Sequence, residues 1–514
     1  MSPSLTEALT DLPTLLRAHA LLSGTAVLLA ILIGLPLALR AARSRTFRIP
    51  LLGAAGLIQT VPTLALLALF YPALLLLGRA TSLPVPALGF LPALLALTLY
   101  ALLPILRNGV AGLHGLDPAI LEAADAAGMT GRQRLLQVEL PLSAPVLLAG
   151  IRTAAIWTIG AATLATTVGQ PSLGNLIFSG LQTENWVRVL VGCAASAGLA
   201  IAADLLLGLV EAGVARRSPL RIWAAMGMFG IGVLLALISI GGSGSERRTI
   251  AVGAKNFSEQ YILASAIGQR LGAAGFPVVQ RDDLGSAVAY RAVAAGDVDV
   301  YVDYTGTLWT NVLGRTDTPR ADVMRAELTR RLEARDGVVL LGPLGFENAY
   351  VLAMRRSRAE ALGVRTIDDL ARVAPRLRLA SDIEFLTRPE WRALRKAYDL
   401  RFGDARAYSP TFMYRAIADG GADVISAFSS DGRIAALDLV TIADPRGALP
   451  NYDAVLLLSA RAAKDKALIA ALRPLLGAID VGAMRAANLK VDRAEGKKTP
   501  AEAATQLLRT LEKR

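Results

Sequence analysis

Residues 121–141 read LEAADAAGMTGRQRLLQVELP, from Leu121 to Pro141. Glu122, Ala123 and Ala124 open a run of small residues that ends at Gly128, and Leu140-Pro141 starts a new apolar stretch. The spacing predicts a short helix from Glu122 to Ala127, with Gly128 as its flexible C-terminal stop. Thr130 is placed to cap a second short helix. Small side chains let another protein's surface approach closely, so the stretch suits a peg that docks in a partner's groove. The plainer alternative is a polar connector between two membrane helices, and the rest of the chain decides between them.

The 514 residues suffice for two or three domains, and a mean hydropathy of +0.47 is too apolar for a wholly soluble protein. The net charge of +12 is not read as a nucleic-acid signal, because Arg and Lys collect in the cytoplasmic loops of membrane proteins. Cys193 is the single cysteine and lies in an apolar run, which excludes an intramolecular disulfide.

Apolar runs of about 20 residues, enough to cross a bilayer, fall at residues 15–39, 51–77, 88–106, 147–168, 187–214 and 222–240. Glu7 and Asp11 precede the first, which is read as a retained helix rather than a cleaved leader. Arginines then mark alternate loops: Arg40, Arg43, Arg45 and Arg48 after the first run, Arg107, Arg132 and Arg134 after the third, Arg216, Arg217 and Arg221 after the fifth. The intervening loops hold Arg79 in one case and Glu184 with Arg188 in the other. By the positive-inside rule the N-terminus lies outside, residues 121–141 inside, and everything after the sixth run outside.

Few polar groups interrupt the spans. Gln59, Thr60, Pro62 and Thr63 could break the second helix and line a path, or form a proline kink whose freed carbonyls the threonines satisfy. Arg152 is placed to snorkel to the cytoplasmic interface, and Asp204 to face a bundle interior.

A linker, residues 241–248, begins Gly-Gly-Ser-Gly-Ser, and Lys255 is the first lysine of the chain. From Thr249 onward short apolar strands (residues 249–252, 298–301 and 350–354) alternate with helical stretches (259–271 and 320–334), which predicts an α/β domain with mainly parallel sheets. Tyr290–Val300 reads YRAVAAGDVDV and Tyr414–Val424 reads YRAIADGGADV. This internal repeat predicts two similar lobes, with Tyr304 and Phe428 at equivalent positions facing one cleft at the strand ends.

The stretches Lys255-Asn256-Phe257-Ser258-Glu259-Gln260, Asp303-Tyr304-Thr305-Gly306-Thr307, Phe346-Glu347-Asn348-Ala349-Tyr350, Phe428-Ser429-Ser430-Asp431-Gly432-Arg433-Ile434 and Asn451-Tyr452-Asp453 resemble signatures of substrate-binding proteins for glycine betaine, choline and related osmoprotectants. Residues 121–141 resemble the coupling loop of ABC-type import permeases, with Glu122, Ala123, Ala124 and Gly128 at the motif positions that dock on the ATPase. Together these resemblances cover nearly the whole chain. They imply a fused permease and binding-protein subunit of a quaternary-amine importer, a group that also includes ergothioneine uptake systems. The implied fold is a permease domain at residues 1–240, then a two-lobed type II periplasmic-binding-protein-like domain at 249–514. Lobe 1 would comprise 249–347 and 452–514, and lobe 2 would comprise 348–451, with the C-terminal segment returning to the first lobe.

A trimethylammonium group donates no strong hydrogen bond, so its usable attraction is the negative face of aromatic rings, roughly 0.5–2 kcal/mol per good contact. By motif match the cage candidates are Tyr304, Tyr350, Tyr414, Tyr452 and Phe428, with Thr305, Gln260 and Asn348 as polar contacts. Phe428 stands where many relatives have Tyr, and Glu347-Asn348-Ala349 departs from the usual pattern, which leaves the precise ligand open. Asp303 and Glu347 would favour cations. Arg388 and Arg433 could oppose a ligand carboxylate, or form surface salt bridges.

An enzyme is not expected. No phosphate-binding G-x-x-x-x-G-K-[ST] occurs, His19 and His114 both sit in the membrane half, and neither cofactor nor metal is implied. The resemblance implies a homodimer on two copies of a separate cytoplasmic ATPase, in the bacterial inner membrane with the binding domain on the periplasmic side. The competing reading is a membrane-anchored sensor of such ligands, which would need an output module inside.

Overall fold

The computed structural model describes residues 3–81, 85–183, 185–215, 248–315, 317–383, 385–493 and 495–512, which gather into two compact units, one mainly helical and one α/β. The sixth apolar run and all but Arg248 of the linker lie outside the described residues.

In the helical unit, Pro3–Arg43 covers the first apolar run and Phe90–His114 the third. Leu140–Ala162, extended by a tight turn at Thr163–Val168, covers the fourth, and Trp186–Ala215 the fifth. Among the described residues, four helices are long and apolar enough to cross a membrane, or five if a bent pair counts as one span.

That pair is the second apolar run, which is not one continuous helix. Arg45–Thr60 and Thr63–Gly78 meet at 102°. The break falls at Val61, whose backbone is extended (φ −74°, ψ 125°). Pro62 accounts for it: its ring disfavours helical geometry in the preceding residue, and it has no N–H to continue the ladder. Of the two outcomes left open for Gln59–Thr63, the chain breaks rather than kinks.

Phe90–His114 is the centre of the unit, with 61% of its apolar window buried against 11% for Trp186–Val214. Its backbone packs closely on its neighbours. A Cβ on Gly109 would stand 2.6 Å from the Ala38 Cβ, and one on Gly150 would stand 2.5 Å from the Asn108 Cβ. Small residues at helix contacts are the usual way membrane helices gain packing. His19 adds a polar stitch, its Nε2 donating to the Ile159 carbonyl at 2.9 Å while Nδ1 accepts from the Leu173 N–H at 3.3 Å.

Arg152 is paired rather than reaching alone for the interface. Its guanidinium donates twice to Asp204 at 2.9 Å and once to Glu211 at 2.7 Å. Gly208, one turn from Asp204, lies against the guanidinium, and a Cβ there would stand in ordinary contact with the Arg152 Cζ at 3.6 Å.

Among the described residues the α/β unit has ten strands: β1 Ile250–Lys255, β2 Val278–Leu284, β3 Val300–Tyr304, β4 Val339–Glu347, β5 Tyr350–Arg355, β6 Arg378–Asp382, β7 Asp404–Tyr408, β8 Val424–Phe428, β9 Leu439–Ile442 and β10 Asp453–Leu458. They form two five-stranded sheets in the orders β2-β1-β3-β10-β4 and β7-β6-β8-β5-β9. The sheets are mixed rather than mainly parallel. β1 pairs in parallel with β2 and β3, and β6 with β7 and β8, but β10 and β5 run antiparallel to both their neighbours. The physical reason is the crossovers. β5 and β10 begin where the chain has just passed from one sheet to the other, so they start at the cleft that β1, β3, β6 and β8 run toward.

The internal repeat is structural. Tyr290 lies on the helix Ser286–Ala295 and Tyr414 on Pro410–Ala418, and a left-handed glycine follows each, Gly296 at φ +79° and Gly420 at φ +73°. Asp299 accepts from the Ala251 N–H at 3.0 Å and returns its own N–H to Ala251 O at 2.8 Å. Asp423 does the same with Arg378, at 3.0 and 2.9 Å. Each repeated aspartate therefore registers its strand against that strand's parallel partner, β1 in one sheet and β6 in the other. The C-terminal helix Pro500–Glu512 returns to the first sheet's side, where Gln269 on Ser258–Ala273 donates to Ala501 O at 2.9 Å.

Candidate functional site

The strand ends of the two sheets enclose a cleft of about 280 Å³. Five rings on its wall form one connected group. Phe257 stacks on Tyr304 (centroids 6.3 Å apart) and on Phe428 (6.4 Å, planes 7° apart), Phe428 meets Tyr350 at 4.7 Å, and Tyr350 stands edge-on to Tyr452 at 6.2 Å. Gly306 is what admits the last ring, since a Cβ there would fall 2.6 Å from the Tyr452 ring.

Beneath the rings sits Glu259, on the first turn of Ser258–Ala273 and 3% exposed. Its Oε1 accepts from Tyr304 OH at 2.6 Å and Asn348 Nδ2 at 3.0 Å, and its Oε2 from Asn488 Nδ2 at 3.0 Å. Burial raises its pKa, outweighing the opposite pull of the Ser430 hydroxyl and of these three donors. The cleft's cations are engaged with other acids. Lys255 pairs with Asp303 at 2.6 Å, Arg388 with Glu390 at 3.3 Å and Arg433 with Asp431 at 2.8 Å. Lys255 also stands 5.4 Å from the Tyr304 ring centroid and Arg388 stands 5.4 Å from that of Tyr350. Both arginine pairs are buried rather than surface salt bridges, with side-chain exposures of 11% and 1%, and of 13% and 7%.

Tyr304, Tyr350, Tyr452, Phe428 and Asn348 all line the cleft. Three expected contacts stand elsewhere. Tyr414 is 2% exposed and lies behind Arg433, whose Cζ covers its ring at 4.0 Å. Thr305 latches the second crossover, donating to Asn451 O at 3.1 Å and accepting from Asp453 N–H at 3.0 Å. Gln260 orients Tyr304, donating to its hydroxyl at 3.1 Å. Asp303 is neutralised by Lys255, and Glu347 closes β4 opposite Asp453, with its pKa raised by burial and by that neighbour. Phe257, Glu259 and Asn488 also line the cleft, and the motif match does not single them out. The first two lie inside the quoted Lys255–Gln260 stretch, whereas nothing local marks Asn488.

The two lobes also touch beside the cleft. Asn488 Nδ2 donates to Ser430 O at 2.9 Å and Arg485 Nε to Ser429 O at 2.7 Å, from the helix Val481–Asp492 to the turn that follows β8. Gly432 brings that turn against the helix backbone: a Cβ there would be 2.4 Å from the Leu489 nitrogen. Asp492 accepts from Ser258 at 2.5 Å, and burial, with Asp431 adding and Arg433 opposing, raises its pKa to about 6.

In the helical unit, residues 121–141 form a braced elbow. Asp117 caps the helix Pro118–Ala126, and Gly128 ends it in the left-handed region at φ +76°. Thr130 and Gln133 make a capping box on Gly131–Arg134. Glu122 and Ala123 are exposed, while Ala124 is buried. Arg134 is the brace, bonding both oxygens of Asp125 at 2.7 and 2.6 Å and Glu139 at 2.9 Å. Arg43, at the end of the first helix, reaches the same Glu139 at 3.4 Å.

A ring-walled cleft between two lobes, on a chain that also carries a multi-helix apolar unit, defines a binding-protein-dependent membrane transporter. Residues 248–510 match the substrate binding domain of ABC-type glycine betaine transport systems, and residues 30–216 match the inner membrane component of binding-protein-dependent transport systems. The chain belongs to this family, as a permease fused to its own binding domain.

It is 28% identical over 449 residues to the ergothioneine transport permease/ergothioneine binding protein EgtU of Helicobacter pylori, covering 84% of this chain and 78% of that one. It is 39% identical over 193 residues to the choline transport system permease protein OpuBB of Bacillus subtilis, covering 38% and 83%. Among solved structures it is similar to a glycine betaine/carnitine/choline ABC transporter, at TM-score 0.47 and 24% identity over 51% of this chain and 98% of that one.

Proposed function

We propose that this chain captures a quaternary-ammonium or betaine-like zwitterion in the cleft and passes it inward across the bacterial inner membrane, driven by a separate ATPase. The observation that carries the reading is the connected group of Phe257, Tyr304, Phe428, Tyr350 and Tyr452 above the buried Glu259. Ring faces attract a methylated cation that has no hydrogen to give. A carboxylate among neutral donors adds the opposite charge.

Lobe 1 then comprises residues 249–347 and 452–514, lobe 2 residues 348–451, and the permease domain residues 1–240. The subunit acts as a homodimer with two ATPase copies on the inner face, each docked at Glu122, Ala123, Ala124 and Gly128. The arginine pattern supports that sidedness, with the binding domain on the periplasmic side. Tethering the binding domain to the pore raises its effective concentration at the entrance. Ergothioneine is the second reading, favoured because the Helicobacter pylori relative has the same fused architecture across 84% of this chain.

A thermal-shift panel on the purified full chain with glycine betaine, choline, carnitine, proline betaine and ergothioneine tests the proposal. At least one should raise the melting temperature in a saturable way. No shift with any of the five would contradict it.

A further inference from the structure

The indole of Trp157 stands where a membrane helix rarely keeps one. Trp and Tyr rings collect toward the ends of spans, at the two membrane surfaces, and Trp186 fits that rule as the first residue of Trp186–Ala215. Trp157 instead falls at the centre of the run 147–168 and is 47% exposed, so it does not fill a core. Its ring leans on that of Tyr100, in Phe90–His114, with centroids 6.5 Å apart and planes at 44°.

The same place carries the break in the second run. Gln59 Nε2 donates to the Tyr100 carbonyl at 3.4 Å, Thr60 and Pro62 are exposed, and the backbone leaves the helix at Val61. Arg45–Thr60 ends there, so the negative end of its dipole lies at the break. Interrupted backbone and polar side chains at membrane depth persist only where protein or water satisfies them, because lipid tails offer no partners. A face that carries Gln59, Thr60, the break and an open indole therefore suits a polar path and not lipid.

We infer that Trp157 and Tyr100 form a second cation site, inside the permease, where the methylated head released from the cleft rests on the indole face before it moves inward. This rests on the quaternary-ammonium reading and deepens it by naming where the permease itself holds the cation. A ring face takes a cation that has no hydrogen to give, and indole is the best of the natural rings for it. The helix end at Thr60 adds partial negative charge rather than a full carboxylate. Conduction needs that balance, with attraction enough to enter and little enough to leave.

Uptake by proteoliposomes holding the full chain with its ATPase, and calorimetry on the same chain, test this with glycine betaine, choline and ergothioneine as probes. For the probe that is accumulated, Trp157→Leu keeps an apolar side chain and should cut the uptake rate at saturating concentration at least fivefold, with affinity within twofold of wild type. Trp157→Phe should recover at least half the wild-type rate. Tryptophan bearing one, two and then three ring fluorines at position 157 keeps its shape while its face loses negative charge, so the rate should fall with each fluorine. A wild-type rate in Trp157→Leu, a Trp157→Phe no faster than Trp157→Leu, or a rate indifferent to fluorination overturns the second site and leaves the quaternary-ammonium reading in place. Affinity falling in step with the rate puts the damage in the whole fold and overturns the site as well. No binding of any probe by the wild-type chain, or binding without accumulation, overturns the underlying reading and the inference with it.

Discussion

Tyr350 and Phe428 are register partners across the antiparallel β5–β8 pair, and their rings stand 4.7 Å apart on the cleft wall. Strand pairing alone thus brings together two rings of the cleft wall that are far apart in sequence. Tyr350→Ala should weaken ligand binding at least tenfold, about 1.4 kcal/mol. Phe428→Tyr keeps the ring face and should change affinity by less than threefold. Calorimetry with the ligand that gives the largest thermal shift measures both.

Arg134 joins the Pro118–Ala126 helix, through Asp125, to the buried Glu139 ahead of the next span. Arg134→Ala cuts that brace and leaves Glu139 with Arg43. Substrate-stimulated ATP turnover in the reconstituted assembly should fall at least fivefold, with ligand affinity unchanged. Equal loss of both would mean that the substitution damages the whole fold instead.

Burial raises the Asp492 pKa to about 6, above the ordinary carboxylate range, so between about pH 4 and pH 6 the folded chain holds a proton there that the unfolded chain releases. The contribution is fully present below about 4 and is lost as pH rises through about 6. Asp492→Asn mimics the protonated form. Its melting temperature relative to wild type should therefore be higher at pH 7 than at pH 4.5. An offset that does not change between the two pH values would contradict the assignment.

Gly432 sits where any Cβ would meet the Leu489 backbone, 2.4 Å from its nitrogen and 2.6 Å from its Cα. Gly432→Ala must push the turn off the helix Val481–Asp492, at a cost of about 1–3 kcal/mol for overpacking. Because Asn488 holds that turn through Ser430, the variant should also bind ligand more weakly. Chemical denaturation and calorimetry read the two effects separately.

Much of this architecture was legible because its causes are local. Pro62 marks a place where the helix must break or kink, and Thr130 and Gly128 announce the elbow by their capping chemistry. The repeat is legible too, and it bears directly on Tyr414. Tyr414 matches Tyr290, and both are buried on the helix that leads into a repeated strand, so the match marks lobe construction rather than ligand contact. The mixed sheets follow from where the chain changes lobes, which no strand's own composition encodes. Asn488 reaches Glu259 across 229 positions of sequence, a contact made only by the final fold.

The central claim is inward transport of a captured quaternary ammonium, and ATP-driven uptake tests it most directly. Proteoliposomes holding this chain with its ATPase should accumulate the labelled ligand only with ATP on the coupling-loop side, and Tyr350→Ala should reduce uptake at subsaturating ligand. Retained binding with no ATP-dependent accumulation would contradict the account.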